Sequence, residues 1–235
     1  MELPNTVDIS WYPALQPVFG SDAMMSIKKQ LSLTPFVPSI PDIFRVFTTP
    51  LDRIKCVIVS DTTYADSLNN GLAISIPKGT SEELVPRALE VVADELALNT
   101  LHDLALMPCD TFDESLSHLE QQGVFLLNRS LTAQVGYPDS HKHMWDGFTK
   151  YVMQVIAAKH PGMIWMIWGD TAEELSSIIT QAGVRQNVLT TIHPSRESYT
   201  DRVFVGCKHF NLCNELLVEH GKHTIDWDSK SFLKQ

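Results

Sequence analysis

Apolar runs of strand length alternate along this chain with stretches of helical period. The runs at 55–59, 124–127, 163–168 and 188–191 are short and bounded by glycine, asparagine, aspartate or proline, and they predict four strands. Between the first two, Leu84, Val85, Leu89, Val92 and Leu96 recur at helical spacing and predict a helix over 82–98 with an acidic outer face. Thr80, Ser81, Glu82 and Glu83 offer a hydroxyl cap and negative charge at its start. Further helices are predicted at 116–120, 145–158, 172–181 and 210–219, the last two closed by Gly183 and Gly221. Residues 1–50 read as a helical lead-in with Trp11, Leu15, Met24, Met25, Ile27 and Leu31 at its apolar positions. Pro35, Pro38 and Pro41 break it before a short helix near 42–47.

Strands that alternate with helices predict an α/β protein: a three-layer α/β/α domain around a central, mostly parallel four-stranded sheet. Residues 1–235 are expected to form one such domain, large enough to bury about 70% of its unfolded surface without a disulfide or a metal. There is no internal repeat and no low-complexity segment. Asp61, Asn128 and His193 fall at or just past the carboxyl ends of three predicted strands. Ligands of open α/β sheets bind beyond those ends.

Composition narrows the setting. Cys56, Cys109, Cys207 and Cys213 show no paired spacing and read as buried free thiols, which implies a reducing, intracellular compartment. The first ten residues lack a basic region followed by an apolar one, and no apolar run approaches the ~20 residues of a membrane span. The longest run, 162–169, has the length of a central strand. No membrane partner is expected, and a monomer is. The net charge of −10 excludes strong non-specific attraction to nucleic acid, because affinity for phosphates comes from Lys and Arg. Arg129, Lys142, His143, Lys208 and His209 cluster near the strand-end residues and predict a small basic rim. DNA binding is therefore expected to be modest and very sensitive to salt.

The most informative stretch is 56–76, in which Asp61 follows an apolar strand and Gly71-Leu72 follows a polar loop. It resembles the water-activating motif of family 1 uracil-DNA glycosylases, GQDPYHGPGQAHGLAFSV, with the family's catalytic aspartate on Asp61 when counted back from Gly71 without a gap. Residues 123–132, followed by Ser140-His141, resemble the family's GVLLLNxxLT…SH, and 193–198 resemble its HPSPLS loop. Residues 204–210 and 225–227 are similar to its GFFGCxHF and PIDW, so the likeness runs in order over about 10–228.

The resemblance implies a base flipped out of DNA into a pocket. It implies that Asn128 hydrogen-bonds the base edge, that Asp61 orients water and stabilises the cationic sugar, and that neutral His193 donates to the O2 of the departing base. It implies phosphate or strand contacts from Ser81, Ser195, Arg196 and Ser198, and no cofactor or metal. The departures fall on the base pocket. The family's Gln, Pro, Tyr and His become Ser60, Thr62, Thr63 and Tyr64, and its stacking Phe becomes Ile74. Thr63 stands where an aromatic ring abuts carbon 5 of uracil, so space opens there, walled with the hydroxyls of Ser60 and Thr62. Glu197 stands where the family pushes an apolar wedge into the duplex, and the proline-rich clamp is shortened to 77–81.

A glycosylase acting on uracil, thymine or 5-hydroxymethyluracil in DNA is the leading reading. An enzyme that modifies a thymine-type base and an inactive relative that binds DNA or a protein are its competitors. An inactive relative has no reason to keep both Asp61 and His193 while its specificity residues change.

Overall fold

The computed structural model describes residues 3–100, 113–197 and 203–227. Cys109 and Ser198 lie outside them. Two lead-in helices, α1 (Tyr12–Phe19) and α2 (Asp22–Leu31), precede a two-residue strand β1 (Phe36–Val37) and the first long strand β2 (Cys56–Ser60). Helices α3 (Arg87–Thr100) and α4 (Ser117–Gln121) lead to β3 (Val124–Asn128) and the short β4 (Ala133–Gln134). The remainder alternates: α5 (Lys142–Lys159), β5 (Ile164–Trp168), α6 (Ala172–Ala182), β6 (Asn187–Thr191) and α7 (His209–Glu219).

The four long strands form one parallel sheet in the order β3-β2-β5-β6. Every residue of β2, β3 and β5 is buried, as continuous apolar runs in a doubly covered parallel sheet require. The edge strand β6 is only partly covered. Helix α6 packs on β5 and β6 and against α5, while α7 packs on β5 and against α3. Because side chains alternate between faces, Phe125 and Trp168 point to opposite layers. Phe125 meets Trp11 and Phe47, with ring centroids 5.3 and 5.7 Å away. Trp11 donates its indole N–H to the Thr49 carbonyl at 2.9 Å, which fixes within the lead-in the ring that packs on the sheet. On the other face Trp168 packs edge-on against Phe204 at 4.9 Å and Phe210 at 6.1 Å.

Three expectations need correction. The helix over 82–98 starts later, at Arg87, after a separate 3-10 turn Glu82–Leu84. Pro86 causes the break: it disfavours helical backbone at the preceding residue, and Val85 is extended at φ −66°, ψ 123°. Ser81 consequently caps no α-helix, and its side chain makes no capping bond to the 3-10 turn. The lead-in is a pair of helices followed by 3-10 turns (Ile40–Asp42 and Arg45–Thr48), with no α-helix near 42–47. The pairing of β1 with β4 is additional, because two residues carry no readable periodicity. Among the described residues no helix is long and apolar enough to cross a membrane.

Candidate active site

The register of the sheet sets Ser60, Asn128, Trp168 and Thr191 side by side at the carboxyl edge. Asp61 is the next residue after β2, and its backbone N–H donates to the Trp168 carbonyl at 3.1 Å. Gly169, at φ +138°, makes the carboxylate's position possible: a Cβ there would lie 2.3 Å from the Asp61 Cβ. The loop after Asp61 turns back through two side-chain caps, Asn69 Oδ1 on the Gly71 N–H at 3.0 Å and Asn70 Oδ1 on the Leu72 N–H at 3.2 Å. Gly71, at φ +89°, passes so close to the Asp42 carbonyl that a Cβ would come within 2.1 Å of it. The Ala73 N–H then bonds the Leu126 carbonyl at 3.0 Å and ties the loop to β3.

Asp61 is 8% exposed and surrounded by donors. Lys142 Nζ lies 2.6 Å from its Oδ1, the Thr171 hydroxyl donates to the same oxygen at 3.0 Å, and Arg129 Nη1 lies 3.6 Å away. Burial pushes the Asp61 pKa up, but Lys142, Thr171 and Arg129 outweigh it and leave it below the usual carboxylate value. Arg129 is itself 6% exposed. Its Nε and Nη2 donate to Asp146 Oδ1 at 3.2 and 2.7 Å, and Nη2 also reaches Glu174 at 3.1 Å. Lys150 closes the network onto Asp146 and Glu174 at 2.6 and 2.5 Å.

The expected basic rim is therefore much reduced. Arg129 and Lys142 are spent on carboxylates, and His209 is buried, with its pKa pushed down to about 4 by desolvation, so it is neutral at pH 7. Its Nδ1 accepts the Trp168 indole N–H at 3.1 Å. Of the five rim residues, only His143 and Lys208 are exposed.

His193 follows β6 and is 3% exposed. The Ser195 N–H donates to its Nδ1 at 3.2 Å, with the Ser195 hydroxyl 2.7 Å from the same nitrogen. Nδ1 is thus the acceptor and the ring proton sits on Nε2. Nε2 lies 3.1 Å from Ser60 Oγ, whose own proton goes to the Thr62 carbonyl at 2.8 Å. Ser60 therefore accepts from Nε2–H. Burial lowers the His193 pKa to about 4, against the opposing pull of Asp61, so the ring is neutral at pH 7.

Asn128 is 4% exposed, and its side chain makes no hydrogen bond with any described residue, which leaves both ends of the amide for a ligand. Thr63 is buried and donates its hydroxyl to the Ser130 carbonyl at 2.7 Å. Two of the hydroxyls at this wall, those of Ser60 and Thr63, are committed within the protein, as buried hydroxyls ordinarily are. Only the half-buried Thr62 keeps its own. Ile74 is buried at φ +64°, an outlier for a β-branched residue and a local strain of about 1–3 kcal/mol. Tyr64, largely buried, donates its hydroxyl to the Ile74 carbonyl at 3.3 Å.

Farther out, Ser81 and Ser195 are exposed, and Arg196 is paired with Asp170. Ser198 lies outside the described residues. Glu197 is not presented as a wedge: its carboxylate folds back to accept the backbone N–H groups of Phe204 and Val205. Sequence reasoning missed Thr171 and Gly169, whose spacing carries no motif, and it read Lys142 and Arg129 as a rim where they flank Asp61.

No protein-family model matches the chain. A uracil-DNA glycosylase of Porphyromonas gingivalis is 31% identical over 228 residues, covering 94% of this chain and 98% of that protein. A uracil-DNA glycosylase of Acinetobacter baumannii is 32% identical over 226 residues, covering 93% and 91%. The crystal structure of mimivirus uracil-DNA glycosylase superposes with a TM-score of 0.82 at 20% identity, covering 97% of this chain and 90% of that one. The α/β fold is thus shared with that glycosylase structure. The chain belongs to the uracil-DNA glycosylase family.

Proposed function

We propose that this protein is a DNA glycosylase that hydrolyses the N-glycosidic bond of a flipped-out uracil-type pyrimidine, with a pocket that admits a substituent on carbon 5. The observation that carries the reading is the pairing of an ionised Asp61 with a neutral His193 whose proton is on Nε2, beside the free amide of Asn128. Asn128 hydrogen-bonds the edge of the base through one donor and one acceptor. As the bond from C1′ to N1 breaks, its electron pair leaves with the base, and His193 Nε2–H turns from Ser60 to the developing charge on O2. The fixed carboxylate of Asp61 stabilises the cationic sugar, and water adds to C1′ with loss of a proton. Thr63 in place of a ring supports the wider pocket. The buffering of Asp61 by Lys142 and Arg129 is the one observation favouring an inactive relative, since it weakens the field felt by a cation.

Single-stranded oligonucleotides carrying uracil, thymine or 5-hydroxymethyluracil, assayed for alkali-labile sites, test the reading. Sites at uracil and at one 5-substituted base are expected. Sites at uracil alone would overturn the wider pocket. None at all, with DNA still bound, would establish the inactive relative.

A further inference from the structure

Asp139 has no role in the site described so far. It lies on the turn between β4 and α5, three residues before Lys142, and holds a left-handed backbone at φ +61°. Its Oδ1 is shielded from solvent and has no hydrogen-bond partner among the described residues. An unpaired buried carboxylate oxygen costs stability, and this one returns nothing to the turn, whose hydrogen bonds are the Gln134 N–H donating to Ser140 Oγ and those of the backbone. The turn borders the pocket: its Gly136 N–H donates to the Ala65 carbonyl at 2.7 Å, and Lys142 at its end reaches Asp61 at 2.6 Å. The Thr63 N–H faces the Asp139 carboxylate, and Lys142, Asp61 and Arg196 are near enough to act on its charge. Burial, reinforced by Asp61, pushes its pKa up against the pull of Lys142, Arg196 and the Thr63 N–H.

The neighbour of most consequence is Thr63, the residue aligned with the wall beside carbon 5. An acceptor without a partner next to that wall suits a substituent that carries a donor. A methyl group has none; a hydroxymethyl group has one. We infer that Asp139 reads a hydrogen-bond donor on carbon 5 of the target pyrimidine, with 5-hydroxymethyluracil as the simplest such base. The inference rests on the wider-pocket reading above and names the substrate class that this pocket prefers.

Single-turnover release of 5-hydroxymethyluracil and of thymine from the same single-stranded sequence tests it. Thymine fills nearly the same volume without the donor. The wild-type protein should favour 5-hydroxymethyluracil by roughly ten- to a hundredfold, the range of a hydrogen bond to a charged group. Asp139→Gly, which suits the left-handed backbone and removes the carboxylate, should bring the ratio close to one. Asp139→Asn also tolerates that backbone and should give an intermediate ratio, and it serves alone if the glycine variant fails to fold. Equal release of both bases, or a ratio unmoved by either variant, overturns the inference and leaves the wider pocket standing. Release of uracil but of neither 5-substituted base overturns both, and release of no base overturns the glycosylase reading with them.

Discussion

Lys142 and Asp61 are joined by the shortest polar contact made by the strand-end carboxylate, 2.6 Å from Nζ to Oδ1. The lysine is the first residue of α5 and the aspartate the first residue after β2, so the pair fastens a helix start to the sheet edge. Asp61 is 9% exposed at its side chain and Lys142 29%. The contact therefore fixes the carboxylate's orientation and keeps it ionised, while it offsets part of the field that a cationic sugar would feel.

The first prediction concerns that pair. Asp61→Asn should lower single-turnover base release on the order of 10²–10³-fold, the usual consequence of removing one preorganised electrostatic contact, with an unchanged circular dichroism spectrum. Lys142→Met should leave Asp61 ionisable but remove a cause of its depressed pKa. A group needed as its anion then fails at higher pH as the solution is acidified. The acid limb of the rate profile should move upward in Lys142→Met, and an unmoved limb would show that Asp61 does not govern it.

The buried histidines set the acid stability. His193 and His209 both fall from 6.5 to about 4 on folding, and burial shifts His141 and His160 the same way. The unfolded chain therefore binds more protons than the native one between these values. Stability is fully present above 6.5 and declines as the pH falls toward 4, with a slope approaching about 1.4 kcal/mol per pH unit for each such group. Urea titrations from pH 4.5 to 7.5 should show this, and His209→Gln should lower the slope by up to one proton. A flat profile would mean that these rings are charged in the native state.

The strands and the edge residues were legible because a parallel sheet demands continuous apolar runs, and a polar residue just past such a run marks its end. The ranges 124–127 and 188–191 each fell one residue short of the observed strand. The partners of the charges were not legible. Arg129, Lys142 and Glu197 differ from solvated surface residues only through carboxylates or N–H groups that the fold brings from distant positions: Asp146 and Glu174, Asp61, and Phe204 with Val205. Pro86 was the missed local signal, and it cut one helix in two.

Glu95 carries the third prediction. This carboxylate on α3 is fully buried and accepts the N–H groups of Gly206 and Lys208, the latter at 2.7 Å, with Cys207 Sγ 3.6 Å away. It holds the chain that leads into α7. Glu95→Ala would strand two part-buried backbone donors, at up to about 1–3 kcal/mol each. The melting temperature should fall by roughly 2–4 °C per kcal/mol in a chain of this length, and Glu95→Gln should recover part of the loss. Calorimetry of the three proteins decides it. An unchanged melting temperature in Glu95→Ala would mean that water replaces the carboxylate.

The last prediction tests the wall beside carbon 5. Thr63 is 1% exposed and its hydroxyl is bound to the Ser130 carbonyl. Thr63→Tyr therefore has two effects, the loss of one buried hydrogen bond and the filling of pocket volume. Thr63→Val separates them, because it removes the hydroxyl at nearly constant size. A phenol ring and a 5-substituent cannot occupy one volume, and overpacking of this kind costs about 1–3 kcal/mol, which corresponds to roughly a ten- to hundredfold change in relative rate. The ratio of 5-substituted base to uracil should fall by that factor in Thr63→Tyr and hold in Thr63→Val, while both variants lose some thermal stability. A ratio that falls equally in both would assign the effect to the Ser130 hydrogen bond, and a ratio unmoved in Thr63→Tyr would place Thr63 away from carbon 5.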